Sequence, residues 1–121
     1  MAVILVVDDE DTLRKNLARF LTGLGHEVRT ASNGRDALVM LDEVPIDLLV
    51  TDINMPEMDG IEVIRALRAR GATFPVIAMS GGGVFDKALL LGSAGALGAA
   101  ATLDKPFELQ ALRLEVERVL G

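Results

Sequence analysis

The 121 residues include 12 Lys and Arg against 18 Asp and Glu, a formal net charge of −6, with half the residues apolar and a quarter charged. This describes one soluble globular domain and excludes the basic surface that nucleic acid requires. With no Cys there is neither a disulfide framework nor a thiolate metal site, and no apolar run is long enough to span a membrane. The default expectation is a cytoplasmic protein with no membrane or nucleic-acid partner.

The chain opens on Val3-Ile4-Leu5-Val6-Val7, a buried-type strand rather than a signal peptide, and this run stops at Asp8-Asp9-Glu10. A first helix over about Asp11 to Leu24 places Leu13, Leu17, Phe20, Leu21 and Leu24 on one stripe, and Gly25 ends it. The next strand, Glu27 to Ala31, alternates Val28 and Ala31 with charged neighbours, as an edge strand does. Ser32 or Asn33 caps a second helix with Ala37, Leu38 and Leu41 inward, which Pro45 terminates. Asp47 to Asp52 is the third strand, followed by a turn at Pro56 and Asp59-Gly60. A third helix then spans about Gly60 to Arg70, with Ile61, Ile64 and Leu67 inward and Glu62, Arg65 and Arg68 outward.

Phe74 to Met79 is the fourth strand, leading to Ser80 and three glycines. Phe85 to Leu97 has helical spacing, but Gly92 and Gly95 each cost about 1 kcal/mol relative to Ala, so the fourth helix is expected to be marginal. A short fifth strand, Ala100 to Leu103, precedes a fifth helix over Glu108 to Leu120 with Leu109, Leu112, Val116 and Val119 on one face and Glu108 in the first turn. Strands alternating with helices in this way predict βαβ units and a doubly wound α/β fold with a five-stranded parallel sheet covered on both faces.

Four strand ends carry polar groups: Asp8 and Asp9, Asp52, Ser80, and Lys105 just past the fifth strand. Ligands of open parallel sheets bind beyond the carboxyl ends of the strands, where acids from two strands can face each other. Crowded carboxylates repel unless a cation sits among them, and magnesium suits an all-oxygen site with few protein ligands that also binds phosphate, manganese being a possible substitute. Asp52 is the candidate nucleophile toward an activated phosphorus, and Asp9, assisted by Asp8, is the candidate magnesium holder. The peptide carbonyl of Asn54 is a further candidate ligand. Lys105 and Ser80 would neutralise the transferred oxygens. Pro106 disfavours the α region for Lys105 and so aims its stem across the sheet.

Together Val7-Asp8-Asp9-Glu10, Asp52-Ile53-Asn54-Met55-Pro56-Glu57-Met58-Asp59-Gly60, Ser80-Gly81 and Lys105-Pro106-Phe107 resemble the receiver domain of bacterial two-component response regulators, over essentially the whole chain and in order. The resemblance implies a flavodoxin-like (βα)5 fold of strand order 2-1-3-4-5, an arrangement for which the chemotaxis receiver is the standard illustration. It implies that Asp52 accepts a phosphoryl group from a phosphohistidine on a sensor histidine kinase or histidine phosphotransfer protein. Asp8, Asp9, Asp52 and the Asn54 carbonyl would form the magnesium site, with Ser80 as switch hydroxyl and Lys105 as phosphate-pairing cation. Phosphorylation would draw Ser80 and Lys105 toward Asp52 and be reported through the fourth helix, fifth strand and fifth helix to a downstream partner protein. The length leaves no room for an output domain, so the expectation is a stand-alone receiver spanning residues 1–121 that is a phosphoacceptor rather than an enzyme. A phosphorelay intermediate is the alternative.

The chain departs from the family pattern at Thr102, where an aromatic residue usually stands three positions before the lysine, and in a longer Ser80-to-Lys105 separation. Two readings from other classes compete. An aspartate-nucleophile phosphatase would use the same acid and magnesium, but it needs a second Asp two residues on, where Asn54 stands. An inert binding module of the same fold would have lost some of its acids or its lysine, and all are present. The glycines at 81–83 lack the Gly-Lys-Ser/Thr ending of a phosphate-binding loop, His26 reads as a surface loop residue, and Met55 and Met58 read as packing.

Overall fold

The computed structural model describes residues 1–81 and 98–121. Five parallel strands, β1 (Val3–Val7), β2 (Glu27–Ala31), β3 (Leu48–Asp52), β4 (Val76–Ser80) and β5 (Ala101–Asp104), form one sheet in the order β2-β1-β3-β4-β5. Four helices are described: α1 (Asp11–Gly23), α2 (Gly34–Glu43), α3 (Gly60–Ala69) and α4 (Leu109–Leu120). This is the doubly wound architecture that the alternating pattern predicts.

Alternation along each strand divides the core into two layers. Ile4, Val6, Leu48, Val50, Ile77 and Met79 meet Leu17 and Leu21 of α1 and Leu112 and Val116 of α4. Leu5, Val7, Leu49 and Ala78 meet Ala37 of α2 and Ile61, Val63, Ile64 and Leu67 of α3 on the other side. Because both faces are covered, β3 and β4 are buried at every position, whereas β2, with one flank unpaired, leaves Glu27, Arg29 and Thr30 exposed.

Local signals set the ends of the helices. Asn33 caps α2 by accepting from the Asp36 N–H at 2.8 Å, and Asp59 caps α3 by accepting from the Glu62 N–H at 2.9 Å. Gly25 follows α1 with φ of 99°, a left-handed conformation that costs glycine little.

Several expectations shift. β4 begins at Val76 and takes in Ser80 as its last residue, while Pro75, which has no N–H for a ladder, contributes only a carbonyl to Leu49. β5 is displaced by one residue, to Ala101–Asp104, and Glu108 is the cap residue of α4 with no side-chain bond of its own. Leu109 is 39% exposed rather than inward. Side chains lean toward a helix's N-terminus, so that of the first helical residue reaches past the helix end instead of onto the sheet. Arg68 does not simply face outward: its guanidinium donates to the carbonyls of Ala72, Phe74 and Gly98, tying α3 to the segments entering β4 and β5. The predicted fourth helix over Phe85–Leu97, and Gly82 and Gly83 before it, lie outside the described residues. Among the described residues no helix is long and apolar enough to cross a membrane.

Candidate functional site

β1 and β3 are neighbours, and the register Val7↔Thr51 brings the residues that follow, Asp8 and Asp52, to the same level at the sheet's carboxyl edge. Asp8 has no exposed surface and every polar atom is engaged. Its N–H donates to Ala31 O, its Oδ1 accepts from the Glu10 N–H at 2.9 Å, its Oδ2 accepts from Lys105 Nζ at 2.7 Å, and its carbonyl accepts from Arg14 Nη1 at 2.9 Å. Asp52 is 3% exposed; its Oδ1 accepts from the Asn54 N–H at 3.1 Å and its Oδ2 lies 3.2 Å from Lys105 Nζ. Asp9 is exposed at the mouth. One carboxylate oxygen from each of Asp8, Asp9 and Asp52 falls within 4.8 Å of the others.

Ser80 arrives from β4. It lies one residue beyond Met79, the register partner of Asp52, and is buried. The Lys105 N–H donates to the Ser80 carbonyl at 2.7 Å, so the main chains carrying hydroxyl and ammonium are bonded to each other. Pro106 follows Lys105 through a cis peptide bond, and the Lys105 side chain crosses above β4 and β3 to reach both buried acids. Asn54 is exposed, and its main-chain N–H is committed to Asp52. Thr102, on β5 at the position where an aromatic was expected, is half-buried.

Burial and the neighbouring charges act together on the ionisable groups of the site. Burial pushes the Asp52 carboxyl above the ordinary carboxylate range; the Asn54 N–H and the Lys105 ammonium pull it down without cancelling that rise, and the charge of Asp8 pushes it up again. For Lys105 burial acts downward, but the hydrogen bond to Asp8 and the charges of Asp52 and Asp8 outweigh it and hold the ammonium above its usual value. Three carboxylates against one ammonium leave a deficit equal to the charge of one divalent cation. The donor set is oxygen throughout and partly open to solvent, which fits magnesium, an ion that keeps several waters and needs few carboxylates.

Two glycines make the site possible in ways the turn signals alone did not reveal. A Cβ on Gly60 would stand 2.3 Å from the Asp52 carbonyl oxygen, so α3 packs directly on the end of β3 only with hydrogen at that position. A Cβ on Gly34 would meet the Met58 carbonyl oxygen at 2.6 Å, seating α2 against the β3–α3 loop. Arg14 was also missed, since its i+3 and i+4 neighbours mark α1 but say nothing of a bond back to Asp8. The remaining expected residues, Asp8, Asp9, Asp52, Ser80 and Lys105, converge at one edge of the sheet.

The family model for the response regulator receiver domain matches residues 4–117. The chain belongs to this family. It is 38% identical to the regulatory protein AtoC of Escherichia coli (strain K12) over 97% of this chain, and it spans only 25% of AtoC's length. It is 35% identical to the probable chemotaxis protein CheY of Rhizobium etli, over 98% of this chain and 92% of that protein. A crystal structure of a response regulator receiver domain protein from Clostridium thermocellum superposes with a TM-score of 0.87 at 34% identity, over 99% of this chain and 94% of that one. Receiver domains in general are phosphoacceptors that bind Mg2+ in an acidic pocket, and this receiver carries an acidic cluster of Asp8, Asp9 and Asp52.

Proposed function

We propose that this receiver takes a phosphoryl group onto Asp52 from a phosphohistidine of a sensor kinase or phosphotransfer protein, in a Mg2+-dependent reaction, and signals the change to a partner protein. One observation carries the reading: a buried carboxylate, one oxygen held by the Asn54 N–H and the other beside the Lys105 ammonium, lies within a few ångströms of two further acids.

Asp52 attacks the donor's phosphorus, the new O–P bond replaces the P–N bond, and the imidazole leaves with that electron pair and takes a proton from solvent. The Asn54 N–H fixes the attacking carboxylate, and Lys105 balances charge on the transferred oxygens. Mg2+, held by Asp8, Asp9, Asp52 and the Asn54 carbonyl, supplies the remaining charge neutralisation when bound. An open cleft of about 460 Å³ lined by Glu10, Leu13, Gly81, Lys105, Pro106 and Phe107 gives the donor an approach to the ammonium. The protein turns over no external substrate, and phosphoryl gain and loss are self-catalysed.

The phosphoryl group adds close to two negative charges. Lys105 already lies 3.2 Å from Asp52 in the unmodified protein, and we assign the larger movement toward the phosphoryl group to Ser80. Because the Lys105 N–H is bonded to the Ser80 carbonyl, a shift of β4's end is felt in the β5–α4 connection. Incubation with acetyl phosphate should add one phosphoryl group by intact mass with Mg2+ present and none after chelation. Uptake that persists in Asp52→Asn would defeat the assignment.

A further inference from the structure

We infer that Arg14 is a positioning residue for the metal site, one that sets the direction in which Asp9 leaves the chain. The inference rests on the magnesium reading above. Arg14 sits in the first turn of α1, and its side chain is only 13% exposed although it carries a full charge. Nη1 donates to the Asp8 carbonyl at 2.9 Å, while Nη2 is occupied by Asp11 on the same turn. The guanidinium is therefore anchored at one side and bonded to the peptide at the other.

That peptide is the one joining Asp8 to Asp9. Its carbonyl is fixed by Arg14, and the Asp8 residue before it is held through its N–H and both carboxylate oxygens. Residue 10, on the far side, is bonded to Asp8 Oδ1 through its N–H and accepts the Arg14 N–H of α1 through its carbonyl. Asp9 is thus an exposed acid on a short arch whose leading peptide plane is fixed by Arg14 and whose trailing one is tied to Asp8. An exposed carboxylate on a free arch samples many directions, and on a locked arch it stays near Asp8 and Asp52. Groups that orient metal ligands without touching the metal typically change affinity about 10- to 100-fold when removed.

A cation beside a cation site makes the test sharp, because its two possible effects have opposite signs. As a mere charge, Arg14 repels Mg2+, and its removal would tighten binding. As the clamp on the Asp8–Asp9 peptide, its removal weakens binding. Mg2+ titrations by calorimetry on the parent, Arg14→Met and Arg14→Lys, well below each protein's melting temperature, decide between them. We expect Kd to rise about tenfold in Arg14→Met. It should also rise in Arg14→Lys, which keeps the charge but whose stem ends short of the guanidinium nitrogens.

An unchanged or lower Kd in Arg14→Met overturns the inference while leaving the magnesium reading intact. A parent that binds no Mg2+ removes the reading on which it rests. Should Arg14→Met fail to fold, Arg14→Lys decides alone, with a Kd equal to the parent's as the contradicting result. A lowered melting temperature with unchanged Kd in either variant marks a structural role only and equally overturns it.

Discussion

Asp47 and Asp52 flank the same strand, β3, and both are carboxylates at a strand end, yet their surroundings differ in kind. Asp47 is exposed; its Oδ2 accepts from the Val3 N–H at 2.8 Å, its own N–H returns a bond to the Val3 carbonyl, and His26 nearby accepts from the Ala2 N–H. Asp52 is buried against another buried acid with one ammonium between them. At the amino end of the sheet, solvent and a hydrogen bond from one peptide N–H suffice. At the carboxyl end, charge is withdrawn from water and concentrated. A carboxylate at a strand terminus is therefore not a site in itself; burial with too few counter-charges is what makes it one.

That contrast can be broken at several points. The largest expected effect is steric. Gly60→Ala drives a methyl group into the Asp52 carbonyl and Ile53, and should cost about 3 kcal/mol in a urea titration, with loss of phosphoryl uptake. Native-like stability would mean that α3 can retreat from β3 freely, and the site would not depend on that contact.

Electrostatic changes come next. Lys105→Met removes the ammonium that Asp8 and Asp52 share, so Mg2+ should bind about tenfold more tightly while phosphoryl uptake slows. Asp47→Asn should alter neither. Weaker metal binding in Lys105→Met would mean that the lysine organises the acids more than it competes for them.

The smallest effects are on stability. Asp52→Asn should stabilise the metal-free protein by about 1 kcal/mol, roughly 4 °C, because it removes a desolvated charge. Asp47→Ala should destabilise it by about 1 kcal/mol through loss of the Val3 bond. The pH dependence follows in sign. A carboxyl whose folded pKa is raised contributes stability that is fully present below its unfolded pKa and is lost as pH rises through the folded one. The advantage of Asp52→Asn over the parent should therefore be complete above the raised pKa of Asp52 and close as the pH falls through it. A gap that stays constant with pH would contradict the burial of an ionised Asp52.

Much of this was legible in the residues. Runs such as Val3–Val7 and Leu48–Asp52 have the length and β-branching of buried strands, and the acids that end them sit where an open parallel sheet binds its ligands. What stayed hidden depends on contacts distant in the chain or on the lack of a side chain. Lys105 and Asp8 are 97 positions apart, so their bond follows from strand order rather than local pattern. Gly60 reads as turn chemistry, and only packing shows that a Cβ has no room. Leu109 and Arg68 fit the helical period but sit at a helix start and near a helix end, where period alone no longer decides burial.

The most direct test of the central claim is to trap the modified residue. After incubation with acetyl phosphate and Mg2+, borohydride reduces an aspartyl phosphate to the corresponding alcohol, and peptide mass analysis then locates it. The account predicts reduction at Asp52 alone. Reduction at Asp8 or Asp9, or at no aspartate when phosphoryl uptake has been measured, would contradict it.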